Sequence, residues 1–335
     1  MKPAIFGLSG ERLTDDERRF FKDSDPAGYI LFGRNCVDRD QLRALTDDLR
    51  SIHGRDDLPI LIDQEGGRVA RLRPPVWPDF PKAQRFAELY QVAPMSAIEA
   101  ARVNAAALAS VLREVGITVD CLPLLDVRQP GAHDIIGDRA LGSDPMQVAA
   151  LGRAVIEGLR EGGVVGVVKH MPGHGRAGAD SHLELPVVEA SEAELETDIA
   201  PFRSLRDAPM GMTCHVVFTA WDPERPATLS PKVIGEIVRG RIGFEGLLMT
   251  DDIDMKAISG RPGEIAAAAI AAGCDLILDC WAKLDDMIER AEALPEMGPE
   301  TRARLDRAMA TIAGSEPRQP YEALAAKRDS LLAYA

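Results

Sequence analysis

Short apolar runs alternate with amphipathic segments along the chain. The runs are Ala4–Leu8, Gly28–Phe32, Pro59–Asp63, Thr118–Leu122, Val164–Lys169, Gly211–His215, Leu247–Asp251 and Asp275–Asp279. Each is nearly continuous in apolar residues and bounded by Gly, Pro or Asp, the pattern of a strand buried on both faces. Between them, helical spacing appears in Thr14–Lys22, Arg39–His53, Ala97–Val115, Pro145–Glu161, Glu192–Leu205, Pro231–Arg241, Pro262–Ala272 and Ala282–Ala293. Ser143-Asp144-Pro145 reads as a helix start, and Ser191 with Glu194 as a capping box.

Strict β–α alternation predicts parallel strands joined by right-handed crossovers. Eight such units predict an α/β fold, a single (β/α)8 TIM-type barrel with a C-terminal helical extension. Periodicity does not report closure, so an open doubly wound sheet fits the same pattern. The length of 335 residues admits two domains, but barrels of this class run past 250 residues as one unit. No Ser/Gly linker or composition shift divides the chain. The expectation is one domain over residues 1–335, with a helical wrap at about 300–335 read from Arg302 to Ala335.

Composition narrows the function. Lys plus Arg number 39 against 53 Asp plus Glu, a formal net charge of −14, which argues against a phosphate-backbone binder. Apolar residues at 46% and charged residues at 27% are those of an ordinary globule rather than a disordered chain. Met1–Gly10 lacks a signal-peptide core, and the longest apolar stretch, Ile265–Cys274, is too short to span a bilayer. Five cysteines form no CxxC pair, and buried free thiols fit a reducing, cytoplasmic setting.

In a barrel, reactive groups gather where strands end. Here the third run leads into Asp63-Gln-Glu-Gly-Gly-Arg68-Val-Ala-Arg71, and the fifth into Lys169-His170-Met-Pro-Gly-His174-Gly. The sixth ends at His215 and the seventh at Thr250-Asp251-Asp252. His170, His174 and Asp180 could ligate a metal, but their spacing matches no zinc motif and Lys169 would repel a cation. Gly173-x-Gly175-x-x-Gly178 imitates a dinucleotide loop yet opens no helix that could hold a pyrophosphate. Asp-Asp after a strand is often only a turn. On an apolar strand, however, Asp251 needs basic partners, and Lys169, Arg71 and Arg139 are the expected ones. A fixed carboxylate facing a cavity suits stabilising or attacking a developing cation.

Together, Lys169 to Gly175, Ala179-Asp180-Ser181-His182 and Gly246-Leu-Leu-Met-Thr250-Asp251-Asp252-Ile-Asp254-Met255 resemble family 3 glycoside hydrolases. Within that family they look like the short, single-domain bacterial β-N-acetylglucosaminidases (β-hexosaminidases) of peptidoglycan recycling. Asp63 to Arg71 and Ile136-Gly-Asp-Arg139-Ala-Leu-Gly-Ser-Asp144-Pro extend the match, which runs from about Ala4 to Cys280. Met171, Ala140-Leu141 and Ile253-Asp254 depart from the family's usual residues without removing a reactive group.

The resemblance implies a retaining, two-step mechanism. Asp251 would be the nucleophile and His182 the general acid/base, held by Asp180. Asp63, Arg71, Arg139, Lys169 and His170 would hold the sugar. An imidazole with an ordinary pKa of about 6.5 suits both proton steps near neutrality. Gly173, Gly175 and Gly178 are expected to make the loop before His182 flexible. Aromatic content of only 5% favours a short fragment cleaved from its non-reducing end. The expected partner is thus a small N-acetylglucosamine-containing muropeptide, with no cofactor, metal, nucleic acid or membrane, and a monomer or weak homodimer. A phosphorylase using the same residues and a non-catalytic sugar-binding barrel are the alternatives.

Overall fold

The alternation builds a closed barrel. The computed structural model describes residues 1–181, 183–315 and 319–334. Its ten strands are β1 (Lys2–Gly7), β2 (Pro26–Leu31), β3 (Ile60–Ile62), β4 (Val119–Asp120), β5 (Val165–Met171), β6 (Val187–Val188), β7 (Met210–Thr213), β8 (Val217–Phe218), β9 (Leu247–Asp252) and β10 (Leu276–Asp279). Eight are parallel and close in the order β1–β2–β3–β4–β5–β7–β9–β10 and back to β1. Closure excludes the open sheet. The two-residue strands β6 and β8 pair with each other, outside the barrel, an element the apolar pattern did not announce.

Period-two alternation sorts the strand side chains into two cores. Ile5, Ile30, Leu61, Val119, Val165, Val167, Met210, Leu247 and Leu276 fill the barrel interior. Their neighbours Ala4, Phe6, Tyr29, Leu31, Ile60, Ile62, Leu248 and Ile277 face the surrounding helices. Strands buried on both faces are therefore why the runs look continuous rather than alternating.

Three helices have the predicted bounds: Arg39–His53, Pro145–Glu161 and Pro262–Ala272. Asp144 caps the second through its side chain, with Pro145 in the first turn, and Ser191 with Glu194 forms the expected capping box. The predicted Pro231–Arg241 helix is a π-helix over Val233–Ile242. Helix Ala83–Val92 was not expected; it follows a segment carrying Pro74, Pro75, Pro78 and Pro81, and no side chain caps its start. Helix Pro94–Glu114 is long and apolar enough by composition to cross a bilayer, but 67% of its apolar window is buried inside the fold.

The C-terminal wrap consists of two helices, Pro299–Ala310 and Tyr321–Leu332. Leu305, Ala308, Met309 and Ile312 join the barrel's interior core. Thr301 and Arg304 bond Asp275, just before β10, at 3.1 and 2.9 Å. The first helix thus plugs the end of the barrel where strands begin, leaving the opposite end open.

Candidate active site

The open end holds a cavity of about 250 Å³ lined by Asp63, Glu65, Arg71, Arg139, Lys169, His170 and Asp251, among other residues. It falls just below the roughly 300–1,000 Å³ of pockets that hold drug-sized ligands, a volume suited to one sugar ring. A larger cavity of about 960 Å³ lies at the opposite end, beside the starts of β7 and β9. It gathers no comparable set of convergent reactive groups, so the smaller one is the candidate site.

An ionic lattice forms one wall. The Arg71 guanidinium donates to Asp63 at 3.0 Å, and Lys169 Nζ bonds the other Asp63 oxygen at 3.1 Å. Lys169 also meets Glu65 at 2.7 Å, and Arg139 grips both Glu65 oxygens at 2.8 Å. Lys169 and Glu65 are almost wholly buried. Burial pushes both acids up, but the cations outweigh it: Asp63 falls well below the usual carboxylate range and Glu65 to about 2. Burial likewise presses Lys169 down, and Glu65 with Asp63 more than restores its charge. The local chain supports the lattice: Gln64 Oε1 accepts the Arg71 and Leu72 backbone N–H groups at 2.8 and 3.0 Å.

This corrects one expectation. Lys169, Arg71 and Arg139 are indeed at the site, but their direct carboxylate partners are Asp63 and Glu65 rather than Asp251. Glu65 stood in the Asp63-Gln-Glu motif and was passed over, because its partners lie 74 and 104 residues away in sequence.

Asp251 sits at the end of β9, part-exposed to the cavity. Burial pushes its carboxyl up, yet His170, His215, a hydrogen bond from the Asp252 N–H at 2.8 Å and Lys169 hold it below the ordinary value. It is therefore ionised at neutral pH. Both histidines are fixed. His170 Nδ1 lies 2.7 Å from Asp126, whose carboxyl is held at about 2 against burial by His170 and His174. Nδ1 is thus the donor, and Asp126 also accepts the His174 N–H at 2.7 Å. His215 Nε2 is 2.9 Å from the Asp252 carbonyl, which only accepts, so that nitrogen carries a proton; Nδ1 meets Thr228 Oγ1 at 2.8 Å. Asp126, buried between its histidines, gave no motif signal.

His174 is buried, and desolvation lowers it to about 4, so it is neutral; Nε2 meets Ser181 Oγ at 3.2 Å. Ser181 lines the cavity and its neighbour Asp180 carries the carbonyl that accepts the Leu183 N–H at 2.9 Å. His182 lies outside the described residues. Among those described, no group of three or more His, Cys, Asp or Glu side chains is arranged to hold a metal.

The glycines act differently from the expected flexibility. A Cβ on Gly175 would meet the Val127 carbonyl at 1.9 Å, and Gly173 has φ 138° with Asp198 at 2.9 Å. These two let the loop pack tightly against its neighbours; only Gly178 has open space.

Known proteins match this architecture. The family model described as the glycosyl hydrolase family 3 N terminal domain matches residues 5–314. A β-hexosaminidase from Bordetella avium is 37% identical over 301 residues, covering 88% of this chain and 85% of that protein. NagZ from Neisseria gonorrhoeae, solved native and with N-trifluoroacetyl-D-glucosamine, superposes with a TM-score of 0.85 at 31% identity, over 99% of this chain and 96% of that one. A family 3 β-N-acetylglucosaminidase from Paenibacillus superposes at 0.81 with 34% identity; the match covers 98% of this chain but spans only 61% of that longer protein. With its barrel, its ionised Asp251 and a family match over most of its length, the chain belongs to glycosyl hydrolase family 3.

Proposed function

We propose that the protein is a retaining exo-β-N-acetylglucosaminidase acting on terminal N-acetylglucosamine of peptidoglycan fragments. The observation that carries the reading is Asp251: an ionised carboxylate facing a cavity sized for one sugar, with two fixed imidazoles beside it. In this reading an Asp251 oxygen attacks C1 as the glycosidic C–O bond breaks. His182, oriented by Asp180, gives its proton to the leaving oxygen. Water then attacks C1 and yields a proton to His182, and the ester opens to restore Asp251. Asp63, Arg71, Arg139, Lys169 and His170 hold the sugar hydroxyls. The named relatives support the choice of an N-acetylated hexose, and the cytoplasm is the setting that buried free thiols favour.

Hydrolysis is favoured over phosphorolysis by the paired cations. Arg68, Arg71, Arg139 and Lys169 each already face a carboxylate, so a phosphate dianion would meet compensated charge. The test is Asp251→Ala with His182→Ala, assayed on an aryl β-N-acetylglucosaminide with and without phosphate. The nucleophile variant is expected to lose about 1,000-fold or more in kcat. Loss in the His182 variant is expected to be smaller with a good leaving group than with a poor one. Near-native kcat in either variant, or sugar 1-phosphate as the main product, would overturn the assignment.

A further inference from the structure

Three tryptophans occur in the chain. Trp77 and Trp221 are core residues at 4% and 3% exposure, whereas Trp281 is 54% exposed. It stands two residues past the end of β10, on the same open end of the barrel as the cavity. Its indole Nε1–H donates to Asp252 Oδ2 at 3.0 Å, and Asp252 lines the cavity beside Asp251. The ring edge is therefore one side chain from the cavity wall.

The indole is also held in place. Asp252 Oδ1 accepts the Cys280 and Asp254 N–H groups at 3.3 and 3.1 Å, which anchors the carboxylate that anchors the ring. Ala282 follows with φ 57°, a left-handed conformation that a residue with a Cβ adopts only at a cost. Lys283 Nζ lies 5.0 Å from the ring centroid on one face, and a flat ring has a second. A large apolar surface fixed in solvent at a cavity mouth, by strain and by a hydrogen bond, is unusual unless something covers it.

The cavity has room for about one sugar, so whatever follows the scissile bond meets the rim. We propose that Trp281 is the stacking platform for the sugar on the leaving-group side, and that it sets a preference for saccharide over small aglycones. The proposal rests on the hydrolase reading above. The C–H face of a pyranose packs on the ring, as apolar faces pack on aromatic rings generally.

The experiment compares kcat/KM for diacetylchitobiose and for β-N-acetylglucosaminyl fluoride, whose leaving group offers nothing to stack. Trp281→Ala is expected to lose about tenfold on the disaccharide and less than twofold on the fluoride. Trp281→Phe keeps a ring but not the N–H, and is expected to stay within about threefold of the parent on both. Equal loss on both substrates in Trp281→Ala would mean that the indole acts only through Asp252, and would overturn the platform while leaving the hydrolase standing. No loss on either would do the same. A parent enzyme that turns over neither substrate would overturn the hydrolase reading itself, and the platform with it.

Discussion

Asp126 acts one shell behind the cavity. Its carboxylate holds the Nδ1 proton of His170 and accepts two backbone N–H groups, so it determines which ring nitrogen His170 turns to the cavity. Asp126→Asn can present an N–H to Nδ1 and so favour the wrong tautomer, as the equivalent change does in a catalytic triad. We expect kcat/KM to fall about 10–100-fold with the far-ultraviolet circular dichroism unchanged. Asp252 makes a different prediction. Burial, with Asp254, Asp251 and Asp279 nearby, raises it to about 7 against the Asp254 N–H hydrogen bond. The fold thus binds this proton more tightly than the unfolded chain does. That stabilisation is complete below the ordinary carboxylate range and is lost as pH rises through 7. Calorimetry of Asp252→Asn is expected to give a Tm that falls less between pH 4 and pH 8 than that of the parent.

At the scale of elements, eight strands and most helices were legible because both depend on local periodicity and on caps a few residues apart. Helix Ala83–Val92 was not, since it buries only Phe86 and Leu89 and starts without a side-chain cap. The candidate residues at strand ends were legible for a similar reason: the barrel assigns chemistry to one end of every strand. Their pairing was not. Lys169 meets Asp63 across 106 residues of chain and His170 meets Asp126 across 44, contacts that exist only once the barrel has closed. Gly173 and Gly175 illustrate the difference, because they read as flexibility and serve as close contacts. Gly175→Ala is expected to destabilise by about 3 kcal/mol or more, since the Val127 backbone cannot retreat from a Cβ at 1.9 Å. Gly178→Ala, in open space, is expected to change stability by less than about 0.5 kcal/mol. Urea denaturation of the two variants measures the contrast.

For the whole molecule, the barrel depends on its C-terminal helices. Tyr321–Leu332 packs along Pro94–Glu114, with Leu324 and Leu332 buried and Arg328 reaching Asn104 at 3.2 Å. Tyr321 meets Phe80 edge-on at 6.1 Å between centroids. Removing residues 319–335 would expose the apolar face of the longest helix. We expect a lower Tm, and stronger anilinonaphthalene sulfonate binding than that of the intact chain. The intact chain is expected to unfold in one cooperative transition, the calorimetric mark of the single unit that the strand pattern implied.

The lattice of Arg71, Asp63, Lys169, Glu65 and Arg139 also bears on how such an enzyme diverges. Each cation can leave with both acids still paired, but removing Glu65 strands the Arg139 guanidinium in a largely buried setting, at a cost of about 3–5 kcal/mol, so the wall locks its acids more firmly than its cations. No such lock binds the turn after β10, where Trp281 and Lys283 stand half in solvent. Drift at the rim should therefore be easier than drift among the acids of the cavity wall.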